Sequence, residues 1–253
     1  MPPVAKLTLQ YDGGPFAGWA AQPGKRTVCD ELTRALATVL RRDVRLHVAG
    51  RTDRGVHALG QVASYTGPLP HLRSVNAVLS HDVSVIAAEE APEGFSARHD
   101  ARSRTYVYRV LAAQAPSPFE RGRALWWPHR LDLDALQACA AALAGRHDFT
   151  AFTPTETYHT RFSREVFAAD WRCAAGREDL LEFWIEADSF MRRMNRVLVG
   201  TMLEVGVGRR SLSSFASLLS GAPRSAAGFT APAHGLYLAG VGYEGRRVLE
   251  SGS

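Results

Sequence analysis

The stretch Ala49-Gly50-Arg51-Thr52-Asp53-Arg54-Gly55-Val56-His57-Ala58 places one carboxylate between two arginines, in a turn bounded by glycines. Gly50 and Gly55 permit backbone geometries that other residues resist. An aspartate held there is ionised and aimed, with Arg51 or Arg54 near enough to favour the anion. That is the arrangement a carboxylate nucleophile needs. His57 invites a general-base reading, but a hydrogen-bonded structural histidine fits the position better. Asp12, in Tyr11-Asp12-Gly13-Gly14-Pro15, is expected to close an Asx turn.

Other side chains with chemical potential stand further along. Tyr106 and Tyr108 alternate on a strand-like run, Thr105 to Ala113. Arg192, Arg193 and Arg196 fall on an expected helix, Ser189 to Val205, where spacing of three or four puts Arg196 beside both. Arg98, Arg102 and Arg104 form a second basic stretch suited to tracking a nucleic-acid backbone. His147, Asp148 and His159 are not spaced as metal ligands on one helix, so no metal is expected. Cys29, Cys139 and Cys173 stand far apart, without a CxxC pair. They are expected to be buried or half-buried thiols in a reducing compartment.

The elements that must position these groups follow from periodicity. Ala5 to Gln10 reads as a strand, and Thr27 to Arg42 as a helix with Val28, Leu32, Leu36, Val39 and Leu40 on one face. Thr27 with Asp30 resembles a capping box. Val44 to Val48 and Gln61 to Thr66 flank the Asp53 turn as strands. A short helix at Leu72 to Ser80 and a strand at Val83 to Ala88 complete the first part. Beyond the strand at Thr105, Asp132 can cap a helix running to Gly145. Val166 to Ala174 and Leu180 to Ala187 read as a hairpin, Ser211 to Ser220 as a short helix and Leu236 to Tyr243 as a closing strand. The expectation is an α+β fold with two α/β-type domains, residues 1–102 and 103–253. Hairpin-length connections favour mainly antiparallel sheets flanked by helices. A cleft between domains is a usual place for an active site.

Composition bounds the rest. The chain has 253 residues, 46% hydrophobic, with a net charge of +5 carried almost wholly by arginine; Lys6 and Lys25 are its only lysines. Arginine binds phosphate bidentately and stacks on bases, so a polyanionic partner is in keeping with the charge. No apolar run is long enough for a membrane span, and the N-terminus lacks a signal core, so a cytoplasmic protein is expected.

The motifs, taken in order, resemble the tRNA pseudouridine synthase I (TruA) family. The Asp53 stretch followed by Gly60-Gln61-Val62 resembles that family's catalytic motif. Tyr11 to Trp19 resembles its first turn. Phe95-Ser96-Ala97-Arg98 with Tyr106-Val107-Tyr108 resembles its central segment. Phe190, Met194, Arg196, Val199 and Gly200, with Met202 to Gly206, resemble its C-terminal helix, and Gly235 to Leu238 its last strand. The chain departs from the family where Gln is common, at Ala20 and Cys29, and where an aromatic-Ser pair is common, at His99 and Asp100.

The resemblance implies a pseudouridine-synthase-like fold with an active-site cleft between domains. It implies an isomerase acting on uridines 38, 39 and 40 of the tRNA anticodon stem-loop. Asp53 is then the nucleophile, with Arg51, Tyr106 and Arg196 as active-site support. Tyr106 would lie against the flipped uracil, and Arg98, Arg192 and Arg193 would contact RNA. The reaction neither oxidises nor adds anything, so no cofactor is expected. Whether Asp53 attacks ribose C1′ or uracil C6 stays open. The resemblance also implies a homodimer. A non-catalytic RNA-binding protein would not need both Asp53 and Tyr106. A phosphate hydrolase would need further carboxylates beside Asp53.

Overall fold

The structure is a computed structural model that describes residues 3–157 and 159–249. The chain forms two compact units, Met1–Arg104 with Tyr237–Ser253, and Thr105–Leu236. The first part of the chain thus reclaims the C-terminal strand, which the sequence reading groups with residues 103–253.

In the first unit, β1 (Val4–Tyr11), β3 (His57–Thr66) and β4 (Val83–Ala91) form the antiparallel order β4-β1-β3. On the other edge of β3, β10 (Leu236–Gly242) pairs in parallel through Tyr237 and Leu238. The two-residue β2 (His47–Val48) pairs antiparallel with the same strand at Ala63 and Ser64. The strand expected from Val44 is therefore two residues long, and beyond it the Ala49 N–H still donates to the Val62 carbonyl of β3 at 2.9 Å. Helices α1 (Val28–Leu40) and α2 (Leu72–Val78) accompany the sheet. α1 starts where its cap dictates: the Thr27 hydroxyl oxygen accepts the Asp30 N–H at 3.2 Å while its proton goes to the Asp30 carboxylate. Its apolar stripe buries Val28, Leu32 and Leu36, and the odd-numbered β1 residues Leu7 and Leu9 are buried as fully.

The second unit has the strand order β5 (Ser103–Leu111), β9 (Arg177–Ala187), β8 (Ser163–Ala174) and β7 (Gly145–Asp148), with the short β6 (Leu125–Trp126) parallel to β5. β8 and β9 form the expected antiparallel hairpin. α3 (Leu133–Ala142) is capped by Asp132, whose Oδ1 accepts the Ala135 N–H at 3.0 Å. α3 stops three residues before Gly145, which opens β7 instead of closing the helix. α4 (Met194–Gly206) is the central helix. It buries residues on every side, including Leu198 and Met202, so it is a core helix rather than an amphipathic one. α5 (Leu212–Ser217) is capped by Ser211. Phe149, Phe152, Phe183 and Phe215 fill the core around these elements. The architecture is α+β with mainly antiparallel sheets flanked by helices, as expected.

Two expectations need correction. α4 begins at Met194, not Ser189, so Arg192 and Arg193 precede the helix and share no helical face with Arg196. Cys173 is exposed, while Cys139 is buried, with its thiol pushed up to about 12 by desolvation. Among the described residues no helix is long and apolar enough to cross a membrane.

Candidate active site

The Asp53 loop joins β2 to β3, and its backbone is fixed from several sides. The Asp53 carbonyl accepts the Val56 N–H at 3.1 Å, closing a turn in which Gly55 takes φ +78°. Gly50 takes no positive φ; its part is its carbonyl, which accepts the Gln61 side-chain amide at 2.6 Å. The same amide donates to the Tyr11 hydroxyl oxygen at 3.2 Å. The Tyr11 and Thr52 hydroxyls share a further hydrogen bond of 2.8 Å. Thr52 is buried directly beside Asp53, and its carbonyl accepts the Trp19 N–H at 3.0 Å. Burial pushes the Tyr11 hydroxyl up to about 12, against the pull of its bonds to Thr52 and Gln61, which keeps it a proton donor.

The turn from Tyr11 to Trp19 is the other half of this support. A Cβ on Gly13 would stand 2.0 Å from the Val56 carbonyl oxygen. One on Gly18, whose φ is +108°, would stand 2.8 Å from the Thr52 carbonyl oxygen and 3.2 Å from the Arg54 nitrogen. The two loops touch backbone to backbone, which only glycine allows. Asp12 Oδ1 accepts the Gly14 N–H at 2.9 Å, the Asx turn expected of it. His57 Nδ1 lies 3.0 Å from the Gly13 backbone nitrogen and 3.1 Å from Asp12 Oδ1, so the ring ties the two loops together. The His57 ring is buried and stacks on Tyr237 with centroids 4.6 Å apart. His57 is a structural residue of the loop's exit.

The entry to the loop is held by Arg104. Its Nε and Nη2 donate to the Ala49 carbonyl at 3.1 and 2.9 Å, and further bonds reach the carbonyls of Ala101 and Arg98. Arg104 is thus engaged by backbone and is not a free phosphate ligand. Sequence reasoning placed it in a basic run and missed this part. Nothing local to Arg104 signals it, because its acceptor lies 55 residues back. Arg98 is exposed.

Against this fixed backbone the Asp53 side chain is half-buried and, among the described residues, makes no hydrogen bond or ion pair. Neither Arg51 nor Arg54 is paired with it; both are exposed. Arg51 lies within electrostatic range of the Cys29 thiol. Burial raises that thiol's pKa, and Arg51 acts in the opposite direction. The departure at Cys29 therefore stands beside the arginine assigned to the site.

The remaining assigned residues lie in the second unit. Tyr106 is 8% exposed on β5, edge-on to Phe190 with ring centroids 5.1 Å apart. Tyr108 is fully buried and donates to the Pro232 carbonyl at 2.8 Å, the core role expected of it. Desolvation raises its pKa far above the ordinary value, and nearby Arg196 offsets part of that. Arg196 sits in the first turn of α4. Its Nε donates to the Ala231 carbonyl at 2.7 Å while its own carbonyl accepts the Ala231 N–H at 3.0 Å. Arg192 and Arg193 are exposed on the approach to α4.

Residues 139–244 match the family model described as tRNA pseudouridine synthase. Proteins named tRNA pseudouridine synthase A share 39% identity (Bacillus pumilus) and 41% (Bacillus subtilis) with it, each over 94% of this chain and 98% of the relative. A protein of the same name from Frankia casuarinae is 44% identical over 94% of this chain and 88% of its own length. The chain belongs to the tRNA pseudouridine synthase A family.

Proposed function

We propose that this protein isomerises uridine to pseudouridine at positions 38, 39 and 40 of the tRNA anticodon stem-loop, with Asp53 as the nucleophile. Family membership supports the reaction and the tRNA substrate. One observation carries the residue assignment: the loop around Asp53 is pinned through its backbone while the carboxylate itself stays uncommitted. A nucleophile has to leave its own interactions to bond carbon, and a rigid loop with a free side chain keeps the cost of doing so low.

The reaction breaks the bond from uracil N1 to ribose C1′ and forms one from C5 to C1′; C5 loses its proton to solvent or a base, and N1 takes one up. Atoms and electrons balance without an added reactant. The uridine must first leave the base stack. Arg51 is assigned to stabilise the Asp53 anion and to fill the place of the displaced base. Tyr106 is assigned to stack on the flipped uracil. Arg196, already fixed by Ala231, is assigned as a second charge for the developing anion. Arg98, Arg192 and Arg193 are assigned to RNA contact. By the same family resemblance the protein works in the cytoplasm as a homodimer.

The test is tritium release from tRNA labelled at uracil C5. Asp53→Asn is expected to lower release by more than about 10³-fold while tRNA affinity stays within a few-fold. Full turnover by Asp53→Asn would refute the assignment.

A further inference from the structure

Most arginines that the structure ties down by charge meet a carboxylate. Arg26 pairs with Glu31 and Asp82, Arg177 with Glu120 and Asp179, and Arg210 with Glu204. One group in the second unit does not. Arg161, Arg164, Arg192, Arg193 and Arg224 come from three separate stretches of chain, and none makes an ion pair among the described residues.

Hydrogen bonds hold these stretches together. The Arg192 N–H donates to His159 Nε2 at 3.2 Å, and the Thr153 hydroxyl donates to the Arg192 carbonyl at 3.2 Å. The Arg192-Arg193 dipeptide is thereby fastened to the segment that carries Arg161 and Arg164. Arg164 Nη1 donates to the carbonyls of Arg161 at 2.8 Å and Ser163 at 2.7 Å, while its Nε is buried without an acceptor. Arg224 is steadied by the Ala227 carbonyl at 3.3 Å and the Thr230 hydroxyl at 3.1 Å.

The charges repel one another. Burial, then Arg193, lowers the pKa of Arg224, with only Glu204 opposing. Burial lowers that of Arg164, with Arg161 adding to the effect and Asp188 opposing it. Like charges gathered with no carboxylate in ion-pair contact among the described residues mark a place that a polyanion completes.

We propose that these five arginines form a phosphate-binding track on the second unit that grips the tRNA backbone at two or more phosphates. Arg161 and Arg164 serve one end of the track, and Arg193 and Arg224 the other. The proposal rests on tRNA being the substrate and adds Arg161, Arg164 and Arg224 to the RNA contacts. A track of guanidiniums suits phosphate oxygens, which take bidentate bonds, better than the scattered carboxylates of an acidic protein.

The experiment measures tRNA binding across a salt series, together with KM and kcat for pseudouridine formation. The variants are Arg193→Gln/Arg224→Gln, the charge-keeping Arg193→Lys/Arg224→Lys, and the exposed single change Arg161→Gln. Each lost phosphate contact is expected to flatten the slope of log K against log salt by about 0.7–0.9. The glutamine pair is expected to raise KM by about tenfold or more, with kcat within about threefold, and the lysine pair to restore most of the slope. If the glutamine pair melts early, Arg161→Gln carries the test alone. Unchanged slope and KM in a folded variant of an active enzyme would overturn the track. A wild-type protein that forms no pseudouridine in tRNA would instead overturn the functional reading beneath it. A variant that keeps its tRNA slope but loses binding to an acidic protein would assign the track to that partner and overturn it for RNA.

Discussion

The Asp53 loop and the first turn of α4 hold their charged groups in opposite ways. Around Asp53 the backbone is fixed, by Trp19, Val56, Gln61 and the close approach of Gly13 and Gly18, and the carboxylate makes no hydrogen bond or ion pair among the described residues. At Arg196 the side chain itself is tied, by its Nε to the Ala231 carbonyl. The difference suits the role proposed for each group. A nucleophile bonds to carbon, so an interaction it has to break on the way adds to the barrier. A guanidinium that acts through charge keeps its charge throughout, so fixing it costs nothing and spares reorganisation in the reaction.

Breaking the first half of the comparison should give the largest effect. Asp53→Glu keeps a carboxylate but moves it by one methylene. Turnover should fall by about 10²-fold or more, because displacement of about 1 Å costs that much, while tRNA affinity should hardly change. Near-normal kcat from Asp53→Glu would mean that the loop does not aim the group. Gly18→Ala tests the backbone directly. It forces a Cβ against the Thr52 carbonyl at φ +108°, so stability should drop by about 1–3 kcal/mol in a urea melt. The kcat of the folded fraction should drop by about tenfold or more as Asp53 shifts.

Arg196→Lys probes the other half. It keeps the charge but loses the Nε donor to Ala231 and the planar fork, so a roughly tenfold fall in kcat is expected. Full activity would show that charge without fixed position suffices there. The smallest effect concerns His159, which accepts the Arg192 N–H. Burial, then Arg164, lowers its pKa below 6.5. The unfolded chain therefore binds the proton more readily than the folded one. The stability that His159 contributes is present above about pH 6.5 and is lost as pH falls through the lowered folded value. His159→Gln should remove that part of the pH dependence between about pH 7 and 5, read as thermal melts across the range.

Much of this was legible along the chain. The Thr27 and Asp132 caps, the β8–β9 hairpin and the apolar stripe of α1 are local patterns set by residues three or four apart, or by alternation. The start of α4 was misplaced because Ser189 to Arg193 continue a helix-like pattern, while the chain turns through a left-handed Arg193, φ 61°, before the helix begins. β2 shrank to two residues because its partner, not its alternation, sets its length. Tyr106 and Arg196 are assigned to the site through ordered family motifs, since nothing in their own neighbourhood separates a core tyrosine from one at a site. The pairing of Arg51 with Asp53 and the free run of Arg104 were local inferences. Among the described residues Asp53 makes no ion pair, and Arg104 is bound to Ala49.

By itself, the sequence determined the chemistry available. It set one aspartate in a turn among arginines, an arginine-rich surface and the residue types for each cap and strand. Tertiary structure alone decided how that aspartate is presented. Gly13, Gly18, Gln61 and Arg104 reach the loop from positions well removed in the chain. Whether a glycine spaces two loops, or an arginine meets a carbonyl rather than water, depends on which backbones the fold brings within contact. No local pattern records that distance.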